Sequence, residues 1–182
     1  QFYRDCADTS RVFFKRATHP VTSLNSDYTE FDGKPHVTPW MPAGFRYDSW
    51  RVPMNIAMDY VWFGKDKKWQ KEYAVKFQKF LRSKGMDTYE DQFNLDGSTP
   101  EFILQAGTVK KLRHSIGLVS TAATTALIND EKGSLDFVHA VWNAKLEPYE
   151  DGYFDPYYDG LMYLFSLMHL SGNYQIITPQ GK

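Results

Sequence analysis

The stretch HSIGLVSTAATTALI, residues 114–128, decides the fold of this chain. Its residues are nearly all small or apolar, so the helix that it predicts has no polar face to turn towards water. Such a helix needs packing partners on every side. The next segment, residues 131–145, is amphipathic and predicts a helix with one solvent-facing side. A buried helix followed by an amphipathic one indicates two layers of helices, one inside the other.

The same alternation extends along the rest of the chain. We predict further helices over residues 2–18, about 48–63, 66–84 and about 158–170, with long loops at 19–45, 86–110 and 146–157. Strand-like alternation is almost absent, which indicates an all-α chain. Long loops and two layers favour an α/α barrel over a four-helix bundle, whose loops are short. Because six helices make only part of such a ring, we expect residues 1–182 to be the C-terminal part of a larger domain.

Composition narrows the classes of function. With 21 Lys and Arg against 22 Asp and Glu, the net charge is −1, so we expect no nucleic-acid partner. No apolar run reaches the roughly 18 residues of a membrane span, and we expect no membrane partner. A single cysteine excludes an intrachain disulfide, and the five histidines lack metal-ligand spacing, so we propose no metal or cofactor. The first residues show no leader pattern, which leaves the compartment open between cytoplasm and periplasm.

The first candidate site is FRYDSWR, residues 45–51, where a long loop meets a helix. One interpretation is structural: Asp48 or Ser49 caps the helix and Arg51 is a surface charge. The other is chemical: Arg51 or Arg46 keeps the Asp48 carboxylate ionised, ready to take a proton from water. Aromatic residues make up 16% of the chain, and their flat rings with polar tips suit sugars as ligands.

A second cluster, YFDPYYD at residues 153–159, precedes the last helix. Its structural interpretation makes these residues core and capping groups, with Asp159 as the cap. Its functional interpretation lets Tyr157 stack on a sugar ring or bond to its hydroxyls. His114, at the start of the small-residue helix, is either a satisfied structural histidine or a ligand contact. Serine-nucleophile, phosphate-loop and dinucleotide motifs are absent from the sequence.

The segment around Asp48 resembles a known family. Residues 47–55, YDSWRVPMN, are similar to the Tyr-Asp-Ala/Ser-x-Arg-Val/Ile-Pro segment of glycoside hydrolase family 8. Further similarity lies in residues 10–11, 19–24 and 31–33 before it, and in 112–119 and 157–173 after it. The run LRHSIGL, residues 112–118, most resembles the reducing-end xylose-releasing exo-oligoxylanases. Arg113 and Ser115 stand where those enzymes have leucine and proline, and an open loop there would permit internal cleavage.

This resemblance implies an (α/α)6 barrel and an inverting glycosidase that acts on xylo-oligosaccharides or related β-1,4-glycans. By the same resemblance, Asp48 is the general base, Arg51 its neighbouring cation, Tyr47 and Tyr157 substrate contacts, and His114 the contact to the reducing-end sugar. The family's general acid is a glutamate in a Ser/Thr-Glu-Gly-Met segment, which is not in this sequence. We therefore expect the acid in the N-terminal half of the same domain, and this chain alone to be inactive.

Three other functions stay open at this point. The first is an endo-acting β-1,4-xylanase or β-1,4-glucanase of the same family. The second is a non-catalytic saccharide-binding fragment, which would bind sugars without hydrolysing them. The third is a helical scaffold with no ligand.

Overall fold

The computed structural model describes residues 1–39, 42–100, 104–105, 108–109 and 112–177. Within these residues the α-helices are α1 (Phe2–Ala17), α2 (Arg51–Trp62), α3 (Lys67–Ser83), α4 (Ile116–Ala123), α5 (Ser134–Asn143) and α6 (Tyr158–Leu170). A 3-10 turn, Tyr47–Trp50, leads into α2, and another, Thr124–Leu127, extends α4. Two short strands, β1 (Leu104–Gln105) and β2 (Thr108–Val109), pair antiparallel. The all-α prediction is confirmed, and the predicted loop at 86–110 lies partly outside the described residues.

The predicted helices are all present, and local chemistry explains where they begin. Helix α4 begins two residues later than predicted because the Ser115 hydroxyl caps it, accepting a hydrogen bond from the Gly117 amide at 3.2 Å. Helix α5 begins after Gly133, whose φ of +93° lies in the left-handed region that interrupts a helix. None of the described helices is both long and apolar enough to cross a membrane.

The two predicted layers are also present. All eight residues of α4 are buried, and α4 packs against α2, α5 and most extensively α6. Helices α2, α4 and α6 form the inner layer. Helix α3 buries a stripe that includes Tyr73, Phe77 and Leu81, while its many lysines face outwards, as expected of an outer helix.

The N-terminal ends of α2, α4 and α6 meet at one end of the molecule. Gly117 in α4 permits this close approach, because a Cβ there would lie 2.5 Å from Asp159 Oδ1 and 3.2 Å from the Trp50 ring. The Ser115 hydroxyl donates a hydrogen bond to Asp159 Oδ1 at 3.0 Å across the same junction. The residues singled out from the sequence lie at this end.

Candidate functional site

Asp48 and Arg51 form an ion pair at the start of α2. Arg51 Nη2 lies 2.6 Å from Asp48 Oδ1, and the two side chains are 45% and 44% exposed. Arg51 Nε also donates a hydrogen bond to the Asp48 carbonyl at 3.3 Å. The pair is therefore fixed in direction yet open to solvent, as a group that exchanges protons with water requires.

Capping does not account for Asp48. No side chain caps α2, and Ser49 instead closes the preceding turn, accepting from the Arg46 amide at 2.7 Å. Arg46 Nε donates to Asp27 Oδ2 at 3.1 Å in a buried pair. Burial raises the pKa of Asp27 although Arg46 opposes that shift. Of the two arginines considered from the sequence, Arg51 forms the ion pair with Asp48.

Tyr47, next to Asp48, has a strained backbone. Its φ of +35° is rare for a bulky residue, and such strain persists only where the surroundings enforce it. The Tyr158 hydroxyl donates a hydrogen bond to the Tyr47 carbonyl at 2.6 Å, and the Tyr47 and Trp50 rings lie 5.3 Å apart. Burial raises the pKa of Tyr158 to about 12, so its hydroxyl keeps its proton. These contacts fix the turn that presents Asp48.

Asp155, rather than Asp159, binds the first backbone amide of the last helix. Asp155 Oδ1 accepts from the Tyr158 amide at 2.8 Å, so the structural interpretation that made Asp159 the cap is wrong. Asp159 is buried and accepts hydrogen bonds from Ser115 Oγ and from the Tyr149 hydroxyl at 3.1 Å. Burial raises the pKa of Asp159. Asp159 therefore joins three segments, which its position at the start of a helix did not reveal.

His114 is held by the segment that follows α3. Its Nδ1 lies 2.8 Å from the Tyr89 carbonyl, and the two rings meet edge to face at 4.4 Å. Because a carbonyl only accepts hydrogen bonds, Nδ1 carries the proton in the neutral ring and Nε2 is left as an acceptor. His114 borders an open groove between the start of α4 and the end of α5.

The site residues predicted from the sequence are only partly brought together. Tyr47, Asp48 and Arg51 lie side by side, whereas His114 lines a different groove. Tyr157 is 76% exposed, with its ring projecting into solvent before α6. A narrow cleft beside Tyr47 is lined by further groups, among them Asp91, Tyr149, Tyr153 and Asp159.

The sequence analysis did not single out Asp91 and did not predict the contacts of Arg113. Asp91 is only 5% exposed, and burial raises its pKa to about 7. Arg113 pairs with Asp151 at 2.6 Å and lies over the Tyr153 ring at 4.2 Å, so it fastens the 149–153 turn to the start of α4. No motif marks Asp91, because its importance comes from contacts with residues far along the chain.

The chain is similar in sequence to enzymes that are named exo-oligoxylanases. No model of a protein family matches it. It is 34% identical over 182 residues to a reducing end xylose-releasing exo-oligoxylanase of Halalkalibacterium halodurans. It is 30% identical over 178 residues to the corresponding enzyme of Paenibacillus barcinonensis. The alignments cover 100% and 96% of this chain but 43% of each relative, so the chain spans less than half of their length.

Solved structures of family 8 enzymes also match nearly the whole of this chain, and the match covers less than half of each solved chain. The Paenibacillus enzyme complexed with xylose matches with a TM-score of 0.82 at 30% identity, covering 98% of this chain and 44% of that one. A family 8 xylobiose complex from Teredinibacter turnerae matches with a TM-score of 0.79 at 35% identity, covering 96% and 41%. This chain is therefore homologous to glycoside hydrolases of family 8, and its fold is the C-terminal part of their (α/α)6 barrel. The relatives it matches include reducing-end xylose-releasing exo-oligoxylanases, in agreement with the resemblance seen in the sequence.

Proposed function

We propose that residues 1–182 form the C-terminal part of the catalytic domain of an inverting glycoside hydrolase, which releases xylose from the reducing end of xylo-oligosaccharides. The observation that carries the proposal is the Asp48–Arg51 ion pair, half exposed beside the strained Tyr47. The names of the homologous enzymes support the choice of substrate.

Asp48 is the general base in this proposal. Arg51 occupies Oδ1, so Oδ2 takes the proton from a water molecule as that water attacks the anomeric carbon. In an inverting enzyme a carboxylic acid on the other face of the sugar protonates the leaving oxygen, and the two carboxyls lie about 6.5–9.5 Å apart. We place that acid, a glutamate, in the N-terminal half of the domain, outside this chain. General-acid help is worth ~10²–10⁴-fold, so this chain alone is inactive.

Three side chains contact the sugar in this proposal. Tyr47 lies next to the base, and Tyr157 offers an exposed ring on which a pyranose can stack. His114 accepts a hydrogen bond from a hydroxyl of the reducing-end sugar through Nε2, because Tyr89 already occupies Nδ1.

An endo-acting xylanase or glucanase of the same family is the second candidate. It is favoured by Arg113 and Ser115, which stand where the resemblance to the exo-acting enzymes leads us to expect leucine and proline. The third candidate is a non-catalytic saccharide-binding fragment.

Product analysis separates these candidates. The sample is this chain together with the segment that carries the general acid, called here the assembled enzyme, and the substrate is xylohexaose labelled at its reducing end. Exo action releases labelled xylose as the first product. Scattered product lengths support the endo-acting alternative, and binding without hydrolysis supports the saccharide-binding fragment.

A further inference from the structure

The segment Tyr89–Phe93 touches both the His114 segment and the Asp48 segment. At one end, the Tyr89 carbonyl and ring contact His114, as described above. At the other end, Phe93 exchanges two backbone hydrogen bonds with Phe45, at 2.8 and 3.0 Å. These five residues thus connect the two segments in which the proposed function puts the base and the reducing-end contact.

Asp91, in the middle of this segment, contacts both the segment that holds Asp48 and the segment that holds His114. Its main-chain carbonyl accepts a hydrogen bond at 2.9 Å from Nε1 of Trp50, which follows Asp48 by two residues. The backbone N–H of Arg113, the residue before His114, is close enough to the Asp91 carboxyl to favour the ionised form. One residue therefore fixes the neighbours of both candidate groups.

The segment is rigidly packed. Tyr89 and Phe93 are almost wholly buried, and Phe93 meets Phe80 of α3 edge to face at 5.0 Å. A segment anchored in the core cannot shift without disturbing that packing. The separation of Asp48 from His114 is thereby set by the core rather than by a surface loop.

The Asp91 side chain is a buried carboxyl at a position where an apolar side chain would pack at a lower desolvation cost. Its Oδ1 is buried and finds no hydrogen-bond partner among the described residues, although it belongs to the cleft beside Tyr47. Burial raises the pKa of Asp91, and the nearby Asp159 adds to the shift while Arg113 opposes it. The Arg113 N–H favours an acceptor oxygen beside it, and an asparagine amide supplies an oxygen in a side chain of the same shape.

We propose that Asp91 is a positioning residue that sets the distance between Asp48 and His114. That distance decides which glycosidic bond of the sugar chain meets the water activated by Asp48. The inference rests on the proposed function, since it gives a role to the spacing of the base and the reducing-end contact. Misplacement of reacting groups by about 1 Å can cost ~10²-fold in rate, so a modest shift is measurable.

The test compares Asp91→Ala and Asp91→Asn in the assembled enzyme, with labelled xylohexaose as substrate. For Asp91→Ala we expect kcat to fall roughly 10- to 100-fold with little change in KM, and products of mixed length to accompany xylose. Asp91→Asn keeps the shape and the acceptor oxygen, so it retains kcat within a few-fold and the single product. The control is Asp59→Ala, which removes a carboxylate bonded to Arg11 and Gln70 in the second half of α2 and alters stability alone.

The outcomes are separable. If the unsubstituted assembled enzyme releases no xylose, the proposed function fails, whatever Asp91 does. If it releases xylose and a folded Asp91→Ala variant gives the same kcat and product, Asp91 sets no distance and the inference is overturned. Should Asp91→Ala not fold, Asp91→Asn decides. A folded Asp91→Asn enzyme with a 10-fold or greater loss contradicts a role based on shape.

Discussion

The Tyr158 hydroxyl donates a hydrogen bond to the main-chain oxygen of Tyr47 at 2.6 Å, and this bond joins the start of α6 to the strained residue before Asp48. The two residues are 111 positions apart in sequence. The position of the candidate base therefore depends on a helix at the other end of the chain.

Removing this hydroxyl tests that dependence. Tyr158→Phe leaves the Tyr47 carbonyl without its donor, so the turn can relax and shift Asp48. We expect a loss of about 0.5–1.5 kcal/mol in the free energy of unfolding. We also expect kcat of the assembled enzyme to fall roughly 10- to 100-fold. Tyr163→Phe is the matched control in the same helix, since its hydroxyl makes only a long 3.5 Å contact with the Ala144 carbonyl. Equal kcat in both variants would contradict the dependence.

The junction of the inner helices leaves no room for a methyl group at Gly117. Gly117→Ala places a Cβ 2.5 Å from Asp159 Oδ1, so Asp159 or Trp50 must move. Overpacking of this kind costs about 1–3 kcal/mol, measured as the free energy of unfolding in urea. Gly160→Ala in α6 is the control, because its Cβ meets Leu146 at an ordinary 3.4 Å. That variant should be neutral or more stable by up to about 1 kcal/mol. A Gly117→Ala protein as stable as the control would show that the helices are less closely packed.

Buried carboxyls make stability depend on pH. The pKa of Asp91 is raised by burial from 3.8 to about 7, and its charged neighbours are Arg113 and Asp159. Between these two values the unfolded chain releases the proton while the folded chain keeps it. The free energy of unfolding therefore falls as pH rises from about 4 to 7, and the contribution of Asp91 to this fall approaches about 4 kcal/mol. Because asparagine does not ionise, Asp91→Asn removes this pH-dependent loss of stability.

The check is the free energy of unfolding of both proteins at pH 4.5 and pH 7.5. The asparagine variant should gain in relative stability at the higher pH. A difference between the two proteins that does not change with pH would mean that Asp91 ionises at its ordinary pKa.

Arg113 fastens the 149–153 turn through Asp151 and Tyr153. Its side chain is 13% exposed, whereas Arg82, which pairs with Asp136, is 42% exposed. Exposed pairs contribute under about 1 kcal/mol, and breaking buried ones costs about 3–5 kcal/mol. We therefore expect about 1–3 kcal/mol lost in Arg113→Ala and less in Arg82→Ala. Amide hydrogen exchange at Gly152 and Tyr153 should accelerate only in Arg113→Ala. Unchanged exchange there would mean that the turn is stable without Arg113.

Helices and layers could be predicted from the sequence because they follow from local periodicity. The run at 114–128 is small or apolar on every face, and its central part forms α4, all eight residues of which are buried. The ion pair between Asp48 and Arg51 could be predicted because Arg51 is one helical turn away. Asp91 gave no such signal, since its partners Trp50 and Arg113 are distant in sequence. The capping role given to Asp159 was wrong for the same reason, because Ser115 and Tyr149 bind its carboxyl.

The most direct test of the account is the rate of xylose release by the assembled enzyme carrying Asp48→Asn, beside the unsubstituted enzyme. Asparagine keeps the size of the side chain but cannot accept the proton from water. We predict that kcat falls by ~10²–10⁴-fold with little change in KM. An Asp48→Asn enzyme that releases xylose at a rate within a few-fold of the unsubstituted enzyme would contradict the assignment of Asp48 as the base.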